Sequence, residues 1–361
     1  MSKEVAFKAV ELGMQNTNAS GLLFYGGEPL LERQLIYDTV DYAESIKNTN
    51  IKQNPNQNEK QNNKQNTNHT FIYKMTTNGT LLDEEFLIFA NKVNLTIGFS
   101  HDGQAQDKCR LTNDGSGTFD MLNDKIALLL KYQPYAIGLS VIDSTTVQNT
   151  TETVKFLFDK GFKYITLNLN YGKEANWTRD HLKILEEEYK KLAELYIQRT
   201  SAEEKFYLGP IDIKIVSLLK GEDNIIDRRQ MALNQPSVAP DGMIYPGSRY
   251  LNNPIFEIGN VFTGINKEKQ KSIFEKGSIP PEPCQKCAIR TRCNYAYDTL
   301  ISQDNEIIPD ISPVQCAHEQ LLTPIADSVA EQLYTEQNAL FIHKHYNDLY
   351  PILSLVEDRA K

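Results

Sequence analysis

The first half of the chain alternates between short apolar runs and longer amphipathic stretches. The short runs have the length of buried strands and lie at 21–25, 71–77, 95–100, 136–142 and 164–170. The longer stretches place apolar residues three and four positions apart, as helices do, and lie at 3–14, 31–46, 83–92, 120–131 and 152–160. Because strands and helices alternate, the pattern predicts a parallel sheet with helices packed outside it.

The pattern changes after about residue 205. A long amphipathic helix that starts at Thr178 precedes this point. Beyond it, 237–246 predicts two short strands about a Pro-Asp-Gly turn, 256–262 predicts a third strand, and 326–340 predicts a helix. We therefore predict two domains, 1–205 and 206–361.

An insertion rich in asparagine and glutamine interrupts the first domain at 48–69. Of the 21 residues from Asn48 to Asn68, 13 are Asn or Gln, and apolar side chains are almost absent. Such a segment buries too little surface to offset its ordering entropy. We predict a disordered surface insertion.

Charge and composition exclude several classes of function. The 361 residues carry 47 acidic and 38 basic side chains, a net charge of −9, which gives no drive toward nucleic acid or anionic lipid. No apolar run approaches the roughly 20 residues that cross a bilayer, and the N-terminus does not resemble a signal peptide. We expect a soluble, cytoplasmic protein that contacts neither nucleic acid nor membrane.

Four of the five cysteines are clustered near the C-terminus. Cys284, Cys287 and Cys293 follow the spacing Cys-x2-Cys-x5-Cys, and Cys316 comes later. Four thiolates from two chain segments can enclose one tetrahedral metal ion or an iron–sulfur cube. The spacing alone does not choose between zinc and a cluster.

Glycine-containing polar segments follow three of the predicted strands, at 26–29, 77–79 and 100–103. The carboxyl ends of parallel strands meet at one edge of the sheet, where ligand sites of such folds are built. Glycines let a ligand approach the backbone, and Glu28 or nearby carbonyls can accept a hydrogen bond from an ammonium group. We predict a shared cofactor pocket at this edge.

These segments carry a resemblance to a known family. The sequences FYGGEPLL, TTNGTL, SHDG and GSGTFD begin at Phe24, Thr76, Ser100 and Gly115, and they resemble motifs of the radical S-adenosylmethionine (SAM) enzymes in the same order. The C-terminal half resembles the SPASM extension of peptide-modifying members. The nearest resemblance is to maturases of cysteine-rich ribosomal peptides.

The resemblance implies a fold and a set of site residues. The fold would be α/β, a partial (β/α)6-type parallel barrel lacking its first strand, plus a small α+β SPASM-like iron–sulfur domain. The thiolates of Cys284, Cys287, Cys293 and Cys316 would bind one auxiliary [4Fe-4S] cluster. The residues that would bind SAM are Gly26, Gly27, Glu28, Pro29, Asn78, Ser100 and Asp102.

The sequence also departs from the family pattern. No cysteine precedes Cys109, so the family's Cys-x3-Cys-x2-Cys for the SAM-cleaving cluster is absent, and a chain truncated at its N-terminus is the simplest interpretation. Gly247 stands where relatives have a ligand of a second auxiliary cluster. Ser248 stands where sulfatase-maturing relatives carry an aspartate base, which argues against that activity.

Three hypotheses follow. The first is a maturase that uses SAM to abstract hydrogen from a ribosomally synthesised, cysteine-rich peptide and forms a thioether or related cross-link, with a reductant protein as partner. The second is a catalytically inactive peptide-binding or partner subunit that holds one iron–sulfur or zinc site. The third is a zinc-stabilised scaffold, which needs only the four cysteines.

Overall fold

The computed structural model describes residues 1–15, 18–48, 69–221, 231–295 and 299–359. The predicted disordered insertion therefore lies, apart from its two ends, outside the described residues. Six parallel strands form the main sheet in sequence order, β1 to β6: Ala19–Phe24, Thr70–Thr77, Thr96–Ser100, Ile137–Ile142, Tyr164–Leu169 and Tyr207–Leu208. The predicted α/β fold with a parallel sheet is confirmed.

Two small antiparallel sheets follow in the second half of the chain. The first contains β7 to β10: Ser237–Val238, Met243–Tyr245, Gly259–Asn260 and Gly264–Ile265. The second pairs β11 with β12: Leu300–Gln303 and Glu306–Pro309. Strands β7 and β8 pair about the predicted turn, with Ser237 opposite Tyr245.

Helices α1 to α13 connect and cover these sheets. Those of the first half are α1 to α8: Lys3–Met14, Arg33–Ile46, Glu84–Lys92, Gln106–Cys109, Phe119–Tyr132, Thr150–Asp159, Arg179–Ser201 and Gly209–Lys220. Those of the second half are α9 to α13: Met231–Asn234, Lys267–Gly277, Pro313–Thr335, Ala339–Tyr346 and Tyr350–Arg359. In the described part of the chain, no helix combines the length and the apolar character that a bilayer crossing requires.

One helix prediction was wrong in its bounds. The pattern predicted a helix at 326–340, whereas α11 runs from Pro313 to Thr335 and α12 begins at Ala339. The start of α11 is set by a capping box, in which the Ser312 side chain and the Gln315 side chain exchange hydrogen bonds with each other's backbone. Pro324 lies inside α11 and interrupts the sequence pattern of a helix without ending the helix itself.

The core of the main sheet collects side chains from both halves of the sequence. Ile97 and Phe99 of β3 are fully buried among the helices of the first half. Ile211 of α8 and Leu322 of α11 belong to the same cluster. A second cluster lies around β8 and β9, and Val5 of α1 packs into it. The domain boundary between 205 and 206 stays a prediction. Residues from both sides of this boundary pack in the same core.

The last helix, α13, is tied to the amino-terminal ends of the strands. Asp358 is fully buried and accepts hydrogen bonds from Lys163 Nζ and Tyr164 Oη, each at 2.7 Å. Lys205 Nζ donates to the Ser354 carbonyl at 2.6 Å. Helix α13 thus covers the amino-terminal edge of the sheet near β5 and β6.

Gly79 offers a test of the packing between β2 and β3. Its φ is +81°, and a Cβ built on it would lie 2.1 Å from the ring of the buried Phe99. We expect Gly79→Ala to lower the free energy of unfolding by about 3 kcal/mol or more, since left-handed strain and overpacking add. Urea denaturation measures the loss.

The matched control is Gly115→Ala. Gly115 has a similar φ of +84°, but nothing lies within 4 Å of a Cβ placed on it. The free energy of unfolding of Gly115→Ala should fall only by the cost of the left-handed backbone, roughly 1–2 kcal/mol. Equal losses for the two variants would contradict the packing argument.

Candidate functional site

The loop that follows β1 exposes bare backbone at the carboxyl edge of the sheet. Gly26 and Gly27 are both exposed, and nothing lies within 4 Å of a Cβ built on either. Gly26 has φ +127°, a conformation that favours glycine. Pro29 then starts a short 3-10 helix, Pro29–Glu32. The loop has the open geometry that the approach of a ligand to the main chain requires.

Glu28 holds the ends of β1 and β2 together. Its Oε1 accepts hydrogen bonds from the Thr77 hydroxyl at 2.8 Å and from the Leu30 backbone N–H at 3.0 Å. Its Oε2 accepts from the Asn78 backbone N–H at 2.8 Å. A carboxylate has about four acceptor positions, so three are taken by the protein and one on Oε2 is left for a ligand.

Asp102 makes the equivalent connection between β3 and β4. The carboxylate is buried, with 3% of the residue exposed. Its Oδ1 accepts from the Ser140 hydroxyl and the Val141 N–H, each at 2.9 Å, and its Oδ2 is paired with Arg110 Nε at 2.6 Å. Both oxygens thus have protein partners. Its predicted role in cofactor binding stays a prediction, and the geometry shows a structural role.

Ser100 and Asn78 are the predicted residues with polar groups left for a ligand. Ser100 alternates with the buried Phe99 along β3, so it points to the sheet face opposite the helices. Within the described residues no protein group hydrogen-bonds its hydroxyl. Asn78 Oδ1 accepts from the Thr80 N–H and hydroxyl, at 2.9 Å and 2.8 Å, which holds the side-chain amide at the same edge.

Sequence reasoning missed three exposed apolar side chains on this open face. Leu23 and Tyr25 are 59% and 63% exposed, and Ile72 on the neighbouring strand is 52% exposed. Leu22 and Phe24, which alternate with them, pack against the core instead. An apolar strand residue gives the same sequence signal whether it faces the core or an open cleft. Only the fold shows that these three line a surface next to the glycine loop.

His101 is packed in the core and does not face the open side. It is fully buried, and its ring stacks on Phe156 with 5.0 Å between centroids. Its Nδ1 accepts from the Gly103 N–H at 3.0 Å. Burial lowers the pKa of His101 to about 4, while Asp102 and Arg110 act in opposite directions with smaller effects. His101 is therefore neutral at neutral pH.

The four C-terminal cysteines surround the start of α11. All are free, Cys284 and Cys293 being buried and Cys287 and Cys316 half-buried. Burial raises the pKa of Cys284, and the thiols of Cys316 and Cys287 raise it further. Burial likewise raises the pKa of Cys316, with Cys287 contributing. These mutual effects show that three of the thiols lie near one another.

Cys293 lies in a different local environment. Burial raises the pKa of its thiol to about 12, and the Glu319 carboxylate adds to this shift. The Tyr295 N–H points at its Sγ, 3.4 Å away. Among the described side chains, no three of Cys, His, Asp and Glu are grouped closely enough to hold one metal ion. In a [4Fe-4S] cube each thiolate binds a different iron, so its thiolates lie farther apart than the ligands of one metal ion.

The donor chemistry fits a thiolate-bound metal centre. Four thiols come from two chain segments, and Glu319, whose carboxylate influences both Cys293 and Cys316, leaves its buried Oε1 without a hydrogen-bond partner in the described part of the chain. A buried polar atom without a partner is uncommon in native structures. The assignment of the four cysteines as metal ligands stays a prediction.

The α/β fold of this chain is shared by solved structures of proteins that hold bound AdoMet. The chain has a TM-score of 0.72 to the solved structure of native anSMEcpe with bound AdoMet, at 19% identity over 92% of this chain and 91% of that chain. The structure of native anSMEcpe with bound AdoMet and Cp18Cys peptide gives a TM-score of 0.70. Streptococcus suis SuiB bound to S-adenosylmethionine gives 0.53, at 13% identity over 82% of this chain and 65% of that chain.

Sequence comparison leads to the same group. The cysteine-type anaerobic sulfatase-maturating enzyme of Clostridium perfringens is 22% identical over 304 residues, 80% of this chain and 76% of that protein. An uncharacterized protein of Methanocaldococcus jannaschii is 27% identical over 197 residues, 53% of this chain and 60% of that protein. No family model matches. The chain is thus similar in sequence to the cysteine-type anaerobic sulfatase-maturating enzyme of Clostridium perfringens and similar in fold to anSMEcpe with bound AdoMet.

His101 predicts a pH dependence of stability. As the pH falls from 6.5 to about 4, the unfolded chain takes up a proton at this residue and the folded chain does not. Stability should therefore fall with falling pH across this window. We expect His101→Phe, which keeps the stacking ring, to reduce the loss between pH 7 and pH 4.5 by about 2–3 kcal/mol.

Urea unfolding of both proteins at the two pH values measures this difference. His343→Phe is the control, because His343 is exposed on α12. An identical pH-dependent loss in His101→Phe and the parent chain would show that His101 is not the group responsible.

Proposed function

We propose that this chain is a radical SAM/SPASM-type maturase that binds SAM at the carboxyl edge of its sheet and acts on a ribosomally synthesised peptide. The observation that carries the proposal is the open backbone of Gly26 and Gly27 at the same edge of the sheet as the Ser100 hydroxyl. Glu28 supports it, since the carboxylate holds that loop and keeps one acceptor position available. The same fold binds AdoMet in anSMEcpe and in SuiB.

The open face of the sheet suits a peptide substrate. Leu23, Tyr25 and Ile72 supply exposed apolar surface, and Lys74, paired with Leu23 two register positions beyond Ile72, continues the same face. The anSMEcpe structure with Cp18Cys peptide holds a peptide in the same fold. We propose a cysteine-rich peptide and a thioether or related cross-link. Ser248 is exposed where sulfatase-maturing relatives are expected to carry an aspartate, which argues against sulfatase maturation here.

Cys284, Cys287, Cys293 and Cys316 would hold one auxiliary [4Fe-4S] cluster. When bound, such a cluster supplies an electron acceptor or an anchoring point for the substrate. The protein's part would be to supply four free thiols from two chain segments, one of them the start of α11. Five free thiols fit a reducing compartment, so we place the protein in the cytoplasm, with a reductant protein as its partner.

The alternative function is a catalytically inactive peptide-binding or partner subunit. The observation that favours it is that the sequence contains five cysteines, none of them before Cys109, and so supplies one four-thiolate set. SAM cleavage in this family needs thiolates next to the SAM site. In this alternative, the edge loop binds SAM or peptide without turnover, and the cysteines hold iron or zinc for stability.

SAM binding should depend on the open space at Gly27. Its φ lies outside the left-handed region and nothing lies within 4 Å of a Cβ, so Gly27→Val should fold normally. The added side chain fills the approach to the backbone, and we expect SAM affinity to fall by at least about tenfold. Calorimetric titration with SAM measures the change.

Gly21→Val is the matched control, since Gly21 of β1 also has open space and an ordinary φ but lies away from the carboxyl edge. Equal affinities for all three proteins would exclude a SAM site at this loop. The same preparations with dithionite separate the two functions: 5′-deoxyadenosine that disappears in Gly27→Val supports the enzyme, and binding without product supports the alternative.

Metal content tests the cysteine site. After anaerobic reconstitution we expect about four irons per chain, because the sequence provides one complete set of thiolates. Cys287→Ala should lose most of this iron, and Cys109→Ala, which removes an exposed thiol outside the cluster, should keep it. Iron and zinc are quantified by plasma emission spectrometry. Stoichiometric zinc that iron cannot replace would favour the zinc site.

A further inference from the structure

Outside the edge site, the buried ion pair between Lys214 of α8 and Glu319 of α11 has no role in the proposed chemistry. The two side chains are 0% and 1% exposed and are in direct contact. Burying two charges costs several kcal/mol per ion, and a well-packed apolar pair is often at least as stable. A pair of this kind in the core therefore calls for a reason other than stability.

The hydrogen bonds of the pair supply that reason. Lys214 Nζ donates to the Arg292 carbonyl at 2.9 Å, and Glu319 Oε2 accepts from the Asn294 N–H at 3.0 Å. These are the backbone groups on either side of Cys293. The ion pair thus hydrogen-bonds to the main chain immediately before and immediately after Cys293.

The same pair connects Cys293 to Cys316. Glu319 follows Cys316 by three positions on α11, so the two side chains share a face of the helix. Arg292 adds a second link to α11, where its guanidinium donates to Asp327 Oδ2 at 2.7 Å. Cys293 and Cys316 belong to separate segments, and these contacts fix one segment against the other.

We propose that Lys214 and Glu319 are positioning residues that hold Cys293 against Cys316 for metal binding. The proposal deepens the proposed cysteine site and rests on it for the metal itself. We call the two hydrogen bonds from the ion pair to the Arg292 carbonyl and the Asn294 N–H the clamp; they form without any metal. The clamp should limit the access of reagents to the Cys293 thiol. It should not affect Cys287, whose backbone the ion pair does not contact.

The test replaces both charges by apolar side chains of similar length, Lys214→Met with Glu319→Met. Removing one partner alone would leave a buried unpaired charge and could prevent folding. The double variant should keep its circular dichroism spectrum and a cooperative melt. The control is Lys163→Met with Asp358→Met, which removes another ion pair, in which the fully buried Asp358 also contacts Tyr164 and Lys205.

The readout is the alkylation rate of each cysteine with iodoacetamide in the metal-free chain, resolved by peptide mass spectrometry. We expect the rate of Cys293 relative to Cys287 to rise by at least about tenfold in the Lys214/Glu319 variant, because two charge-assisted backbone hydrogen bonds are lost. The control should leave the ratio unchanged. Metal content of the reconstituted variant should fall in parallel.

An unchanged ratio in a folded variant would overturn the proposal. A uniform rise for all five cysteines would also overturn it, since the pair would then stabilise the whole region and not Cys293. If the parent chain binds neither iron nor zinc, the metal site fails, while the alkylation ratio still decides whether the clamp exists.

Discussion

The carboxylate of Glu28 is the interaction on which the edge site depends. Two consecutive glycines lose more conformational freedom on folding than any other pair of residues, so a loop built from them needs an external constraint. Glu28 provides it by bonding Thr77 and Asn78 at the end of the next strand. The loop can then be open and ordered at once. Asp102 repeats this arrangement between β3 and β4.

The two carboxylates also explain why the edge stays polar while the face below it is apolar. Each is placed at the end of a strand, and each bonds backbone N–H groups that a parallel sheet leaves without ladder partners at its edge. Further down the strands the ladder satisfies the backbone, and side chains such as Leu23 and Ile72 can be apolar. Polar anchoring above an apolar cleft is an arrangement suited to a ligand with a charged end and an extended body.

Much of the sheet could be predicted from the sequence, because each long strand is an apolar run of the right length between polar turns. The last strand could not be predicted, since Tyr207–Leu208 is two residues long and runs directly into a helix that starts with Gly209 and Pro210. The glycine loop was also recognisable as a local motif. The partners of Glu28 were not, because Thr77 lies 49 positions away.

The burial of the Lys214 and Glu319 charges could not be predicted from the sequence either. Lys214 and Glu319 each stand in an amphipathic helix, where a charged residue indicates a solvated face. Only the packing of α8 against α11 shows that both are inside. His101 presents the opposite case: it lies in the polar segment 100–103 after a strand, yet its ring packs between Phe156 and Phe119.

The shared core has a consequence for how the chain is made. The first strand of the main sheet begins at Ala19, but its core is completed by side chains of α11: Leu322, Val329 and Leu333. Asp358 of α13 then pairs with Lys163 at the amino-terminal ends of the strands. A ribosome delivers the chain from the N-terminus at about 5–20 residues per second, so the strands of the sheet are made well before the helix that completes their packing. Until then its apolar surface is exposed. The exposure lasts longer than in a protein whose sheet is completed by residues close to it in the sequence.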